Sequence, residues 1–523
     1  MPSPRAFLLL WLPAILAAAA VLLPVAYLLL RAANGGDAAW VTLQRPQTLA
    51  TVWRTAALGA SVTLVCLLLA VPIAWLTVRT DLPLRRLWAV LTPLPLVIPS
   101  YVGAFLYASA LGPRGLLQGW LEEPFGITRL PDIYGFPGAL LVLSLLNYPY
   151  VLLVVRAALQ RMDPAQEEAA RSLGHGPWST FWRVTFAQLR PAMASGSLLV
   201  VLYVLRDFGA VAVMRYTTFT RAIYIQYQTA LDRSAAAVLA LMLILFSLAV
   251  LVLESKARGR SNQLNSAANP RKAERIKLGA WRWPAAAFCA AVVALALLLP
   301  AGVLLYWLVR GWLAGEALDN SARLIWNSVS ASGLGALAVT LVALPVAYLL
   351  ARRPSRSSSL IGSIINLAFA LPGIVIALAL VFFGANYALP LYQTMPMLVF
   401  AYLILFLPQA VAAVRASFQR VPAQLEEAAR SLGSGPLGVV RRVTLPLLRP
   451  GVSAAVALVF LTAMKELPTT LLLAPIGFKT LATSVWSFVS EAFFARAAAP
   501  ALLLILTSSL PMALLVLREE KDN

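Results

Sequence analysis

Apolar residues along this chain gather into twelve long runs, at about 7–30, 55–78, 88–111, 138–160, 191–214, 234–253, 284–309, 326–351, 360–384, 396–418, 450–474 and 497–517, parted by polar stretches. A helix crosses a bilayer with about 20 apolar residues, and runs of this length are too long for strands. The pattern predicts an all-α, polytopic helical membrane protein with about twelve transmembrane helices. The first run follows Arg5 and could pass for a signal peptide, but it exceeds the ~7–15-residue apolar core of one. It also has a counterpart at 284–309, so we read it as a span.

The chain is written twice. Residues 155–161 read VRAALQR and 414–420 read VRASFQR; EEAARSLG stands at 167–174 and again, unchanged, at 426–433. The spacing of 259 persists through Gly176/Gly435, Pro177/Pro436, Arg190/Arg449, Arg206/Lys465 and Asp207/Glu466. Upstream it becomes 273, at Trp53/Trp326, Pro72/Pro345 and Pro99/Pro372, the difference being absorbed by a longer loop around 112–137. Six spans per half is an even number, so the two six-helix repeats enter the membrane in the same sense and are parallel. The expected divisions are an opening helix and outer loop at 1–50, a first half at 51–253, a polar linker at 254–282, a second extra helix and loop at 283–321, a second half at 322–517 and a tail at 518–523. The Ser/Asn-rich middle of the linker, 261–269, reads as flexible.

Composition then narrows the class. The chain is 60% apolar and 12% charged, against about 25% charged in an average soluble domain. A net charge of +21 could suggest nucleic acid, but its distribution excludes that. With both termini inside, 28 Lys/Arg fall in inner segments and their margins, 12 in outer ones and two within spans. That is the positive-inside bias, and it places a basic face against the lipid bilayer and inner partners. Cys66 and Cys289 lie in apolar runs, and His175 is the one histidine, which argues against a disulfide framework or a zinc site. No GxxxxGK[ST] phosphate loop occurs, so the chain has no ATP site of its own and is not read as an enzyme.

The repeated octapeptide lies in a polar loop between the fourth and fifth spans of each half. Asp163 suits a helix cap, Pro164 the first position, and Gln166 completes a capping-box pattern. Glu167 and Arg171, like Glu426 and Arg430, are spaced i, i+4 and predicted to pair. Gly174 is a candidate left-handed stop, and Gly176-Pro177 forces a turn before a second short helix. Each loop is therefore expected to form a helix–turn–helix elbow.

Here the sequence resembles the permeases of binding-protein-dependent ABC importers, whose signature is Glu-Ala-Ala, three residues, Gly, nine residues, then Ile-x-Leu-Pro. The matching residues are Glu168-Ala169-Ala170 with Gly174, then Val184-Thr185-Phe186-Ala187, and Glu427-Ala428-Ala429 with Gly433, then Val443-Thr444-Leu445-Pro446. The first half departs at Phe186 and Ala187. The resemblance implies the type I ABC importer permease fold. It also implies that each elbow is a coupling helix seated in a cytoplasmic ABC ATPase, a homodimer that holds the ATP and Mg. A periplasmic solute-binding protein would deliver cargo to a bacterial inner membrane. Stretches such as VIPSYVGAF (97–105) and KELPTTLLLAPIGFKTLAT (465–483) are similar to ferric-iron importer permeases, with thiamine as an alternative cargo. An ion-coupled secondary carrier is the rival of another class; it would explain the repeat but not the doubled elbow.

Arg206-Asp207 and Lys465-Glu466 are expected inside the fifth spans as pathway or gate residues, where a charge costs about 2.5–3.5 kcal/mol at a helix centre. Adjacent residues do not face each other on a helix, so the expected partners cross the pseudo-twofold, Arg206 with Glu466 and Lys465 with Asp207. Asp207, Glu466, Tyr101, Tyr148 and Tyr203 are the oxygen donors that could meet hard Fe³⁺, although no metal site is assigned to them.

Overall fold

The computed structural model describes residues 4–229, 234–258, 275–316 and 321–522, so the linker's Ser/Asn-rich middle lies outside the described residues. Among the described residues every regular element is helical, apart from one isolated bridge between Thr80 and Ile276. Nine helices are long and apolar enough to cross a membrane, and eleven when each of two sharply bent pairs is taken as one span. The apolar stretch Phe494–Ser509 corresponds to the twelfth expected run.

Two of the expected spans are not straight. Arg85–Val97 and Ser100–Phe125 meet at 99°, and Arg356–Ala370 and Gly373–Tyr387 at 103°. Ile98 and Leu371 have extended backbones, the conformation that a following proline imposes, here Pro99 and Pro372. The fifth spans also end early. The Phe186–Arg206 helix stops at Asp207 and Leu445–Met464 stops at Lys465, and each is followed by a short helix, Gly209–Val213 or Pro468–Leu473. The expected continuous spans at 191–214 and 450–474 are therefore corrected.

The chain forms two compact units, each drawing on both halves of the sequence. One comprises Pro46–Ala222 and Leu245–Ala314. In it the Pro46–Arg79 helix packs along Phe136–Arg161, Phe186–Arg206 packs on both, and Leu299–Leu313 lies on Ser100–Leu111. The other comprises Met1–Arg45, Ile223–Ile244 and Gly315–Asn523. Its core is Ser321–Arg352, Met395–Arg420 and Leu445–Met464, with the opening helix Pro4–Asn34 lying on the first of these. The two cores correspond helix for helix through the sequence spacings of 259 and 273.

Candidate functional site

Each unit carries one elbow. The first, Ala165–Ser172, begins where the Asp163 carboxylate accepts the Ala165 N–H at 3.0 Å. Gln166 does not turn back to complete a capping box. Its side-chain oxygen instead accepts from the exposed Gln188 Nε2 at 2.6 Å. The second elbow is Ala423–Ser431. Both stop alike: Gly174 and Gly433 have φ of 85° and 83°, and the N–H groups of His175 and Ser434 reach back to the Ala170 and Ala429 carbonyls at 3.1 and 3.0 Å. That is a Schellman ending, and it needs the left-handed residue that glycine supplies without cost.

The two faces of each elbow do different work. Glu167 and Glu426 point inward and are buried. The Glu167 carboxylate meets Arg79 at 3.5 Å and accepts from the Thr185 hydroxyl at 2.8 Å. Glu426 meets Arg352 at 3.4 Å and, from the surface side, Arg430 at 3.7 Å. The expected i, i+4 pair thus forms in the second elbow. In the first, among the described residues, Glu167 pairs with the buried Arg79 and not with the exposed Arg171. Arg79 and Arg352 close the last turns of Pro46–Arg79 and Ser321–Arg352 and are themselves 273 apart. The repeat spacing is the one signal of them in the sequence, because both lie outside the polar loop and nothing local marks them as its partners. Outward lie Glu168, Ala169 and Arg171, with Glu427, Ala428 and Arg430 in the second copy. Ala170 is buried and its counterpart Ala429 partly so. At the tips Leu173 is 80% exposed and Leu432 is 87% exposed.

After each elbow the chain passes through five residues of wide π-helix, Phe181–Thr185 and Val440–Thr444, before the fifth span proper. Such segments are rare and often mark functional positions. In the first elbow Thr185 uses this turn to reach Glu167, so that elbow is tied both to the Pro46–Arg79 helix through Arg79 and to the fifth span that follows it.

Asp207 and Glu466 stand at the breaks in the fifth spans rather than inside regular helix. Asp207 accepts the Ala210 N–H at 2.9 Å, while its own carbonyl accepts from the Thr220 hydroxyl at 2.6 Å. Glu466 accepts from the Thr469 hydroxyl at 2.7 Å and from the Thr469 N–H at 3.3 Å. Each carboxylate therefore caps the short helix that follows it, a role in which helix breaking and charge support one another. Arg206 is the last residue of its helix and Lys465 the cap of its own; Arg206 and Asp207 belong to one unit, Lys465 and Glu466 to the other. A cavity in the second unit is lined by Glu466, Tyr402, Thr470, Ser328, Ser332 and Thr480, among others. Of the tyrosines singled out as oxygen donors, Tyr148 gives its hydroxyl hydrogen to the Thr92 carbonyl at 2.6 Å, and Tyr203 stacks near Tyr150. Among the described residues no three His, Cys, Asp or Glu side chains converge as a metal site would require.

The sequence matches the model of the family described as binding-protein-dependent transport system inner membrane component twice, at residues 67–255 and 343–519. It is 35% identical over 498 residues to the Fe(3+)-transport system permease protein FbpB 2 of Haemophilus influenzae, which covers 94% of this chain and 95% of that protein. It is 24% identical to the ferric transport system permease protein FbpB of Actinobacillus pleuropneumoniae, over 71% of this chain and 57% of that one. Against the molybdenum transport system permease protein ModB of Escherichia coli it is 31% identical over 39% of this chain and 93% of the relative.

Proposed function

The chain belongs to the binding-protein-dependent transport system inner membrane components and carries their domain twice, and from that premise we propose that it forms the pathway by which an ABC importer brings ferric iron across a bacterial inner membrane. In this reading a periplasmic binding protein presents the cargo, and a cytoplasmic ATPase homodimer, one subunit per elbow, supplies the work. Both termini then lie on the cytoplasmic side with the elbows.

The observation that carries the proposal is the way each elbow is built. Its inward carboxylate is tied to the second span of its half, Pro46–Arg79 or Ser321–Arg352, and its outward face, ending in an exposed leucine, is left for a partner. A push on Leu173 or Leu432 therefore moves the span that bears Arg79 or Arg352 and, through the π-helical turn, the fifth span. That span ends at the capped break where Asp207 or Glu466 sits, so displacement at the elbow alters the backbone geometry around each carboxylate. We assign Arg206, Asp207, Lys465 and Glu466 to gating by this route. Ferric iron follows from the relatives named for it, whose likeness spans nearly the whole chain in the first case.

The test is reconstitution of the full chain with its ATPase in proteoliposomes. Gly174→Pro together with Gly433→Pro forces φ near −65° where +85° and +83° are needed, and is expected to abolish ATP-driven uptake while membrane insertion persists. Unchanged uptake by that variant would refute the coupling role. Candidate binding proteins loaded with Fe³⁺, thiamine or molybdate identify the cargo by which one stimulates ATP hydrolysis. Stimulation by a thiamine- or molybdate-loaded protein alone removes iron and leaves the coupling role intact.

A further inference from the structure

The first half carries a group of basic side chains that the transport reading does not use. The chain leaves the Pro46–Arg79 helix through Thr80 and Asp81, turns at Leu84, and enters the short helix Arg85–Leu91. Leu84 is left-handed, with φ 54°, a conformation unfavourable to a side chain larger than glycine, and it stands 67% exposed. Arg85 lies close enough to both Arg86 and Arg275 to feel their charge, and Arg156 close enough to feel that of Arg85. Arg275 is held there by the end of the linker. Ile276 donates to the Arg79 carbonyl at 2.9 Å and accepts from the Asp81 N–H at 3.2 Å, and the Asp81 carboxylate accepts the Leu278 N–H at 2.9 Å. Among the described residues no carboxylate forms an ion pair with Arg85, Arg86, Arg275, Lys277 or Arg282. Like charges brought together with no ion-paired carboxylate among the described residues suit an anion from outside the chain.

What surrounds them says which anion. Leu84, Leu87 and Val90 are exposed along the short helix, and Trp281 and Trp283 are exposed at the start of the Arg282–Val293 helix, which packs against it. Exposed tryptophans beside arginines and leucines form the amphipathic surface that suits a lipid headgroup layer, with phosphate at the cations and acyl chains along the apolar side chains. A soluble phosphate or nucleotide would have no use for that apolar rim. The second half supplies an internal contrast. The spacing of 273 puts Ser358 and Ser359 where Arg85 and Arg86 stand, and there Ser355 simply caps its helix, accepting from the Ser358 N–H at 3.1 Å. The basic cluster is therefore not required to build the repeat.

We propose that Arg85, Arg86 and Arg275, rimmed by Leu84, Leu87, Trp281 and Trp283, form a binding site for the phosphate headgroup of an anionic phospholipid, present in the first half and absent from the second. The site rests on the transport reading only for the side of the membrane it faces. The phosphate oxygens take the guanidinium hydrogens, and the linker's end, bound beside Arg79, ties the occupied site to the span that anchors the first elbow.

The test is titration of the purified full chain in neutral detergent with cardiolipin, reading retained lipid by native mass spectrometry and the thermal unfolding midpoint. Cardiolipin is expected to bind saturably and raise the midpoint, while phosphatidylcholine of matched acyl chains does neither. The variant Arg85→Gln/Arg86→Gln/Arg275→Gln is expected to need at least about tenfold more cardiolipin for half-saturation, since each basic residue lost weakens attraction to an anionic headgroup. The second-half variant Arg353→Gln/Arg356→Gln/Arg415→Gln, which removes the same charge, is expected to bind like the unaltered chain. If the triple variant fails to fold, Arg86→Gln alone, at an exposed position, is expected to weaken binding about threefold. Equal weakening by both triple variants, or equal binding of phosphatidylcholine, overturns the site. Displacement of cardiolipin by millimolar inorganic phosphate or ATP shows a free-anion site and overturns the lipid assignment. The measurement uses no ATPase, so its failure leaves the coupling role untouched, and loss of coupling in the glycine variants leaves this site untouched.

Discussion

At the scale of single residues, the pair Arg79–Glu167 is held where water cannot compensate for the loss of either member. The Arg79 side chain is 4% exposed and that of Glu167 is 11% exposed. The two losses are nonetheless unequal. Removing Arg79 leaves a carboxylate that still accepts from Thr185, whereas removing Glu167 leaves a buried guanidinium without an acid. Breaking a buried pair by deleting one partner costs about 3–5 kcal/mol, and deleting both recovers part of it. Glu167→Ala is therefore expected to lower the thermal unfolding midpoint more than Arg79→Ala, with the double variant above Glu167→Ala alone. Additive single effects in that cycle would show that the two groups do not interact. In the second elbow, Arg352 also donates to the Val421 carbonyl at 2.7 Å, so Arg352→Ala loses a hydrogen bond as well as the ion pair and is expected to cost at least as much as Arg79→Ala. None of this was legible from the octapeptide itself. The sequence shows that Glu167 and Arg171 are one turn apart, but not that Glu167 turns inward to an arginine 88 positions earlier.

At the scale of elements, the fold depends on where helices stop. Proline alone does not decide this. Pro72, Pro149, Pro345 and Pro408 run inside unbroken helices, while Pro99 and Pro372 sit at bends near a right angle. The apolar runs at 88–111 and 360–384 looked continuous because a bend buried in protein needs no polar residues to mark it. What fixes these bends is docking onto the short helices after the carboxylates, and here the halves use glycine reciprocally. A Cβ on Gly209 would meet Tyr101 Cβ at 2.6 Å, and one on Gly373 would meet Thr469 Oγ1 at 2.8 Å and collide with the Glu466 carboxylate. In one half the glycine lies on the short helix, and in the other on the bent one. Gly209→Ala and Gly373→Ala are each expected to destabilise by about 1–3 kcal/mol, the usual penalty for overpacking. Gly435→Ala, where an added Cβ meets nothing within 4 Å, is expected to be neutral. Equal melting of all three variants would mean that the docking is looser than this geometry requires. The elbows, by contrast, were legible down to the stop glycine, because a left-handed helix ending leaves a sequence mark and a tertiary bend does not.

At the scale of the whole molecule, the spacings of 259 and 273 gave away the duplication but said nothing of how its pieces are shared. The opening helix Pro4–Asn34 belongs to the unit built on the second half, and Arg282–Val293 with Leu299–Leu313 belongs to the unit built on the first. Each extra helix therefore covers the core of the other repeat. Repeat periodicity cannot reveal this exchange, because either extra helix offers a similar apolar surface to either core. The consequence is mechanical as well as architectural: neither half of the sequence contains all the helices of one unit. If the chain is severed in the linker between residues 265 and 266, neither fragment can complete a unit alone, whereas the two together hold every helix of both. Fragments 1–265 and 266–523 expressed singly are accordingly expected to be degraded or protease-sensitive, and co-expressed to co-purify with a melting midpoint close to that of the intact chain. A fragment 1–265 that was as protease-resistant alone as in the intact chain would show that the first core does not need Arg282–Leu313, and the exchange of extra helices would then carry no stability.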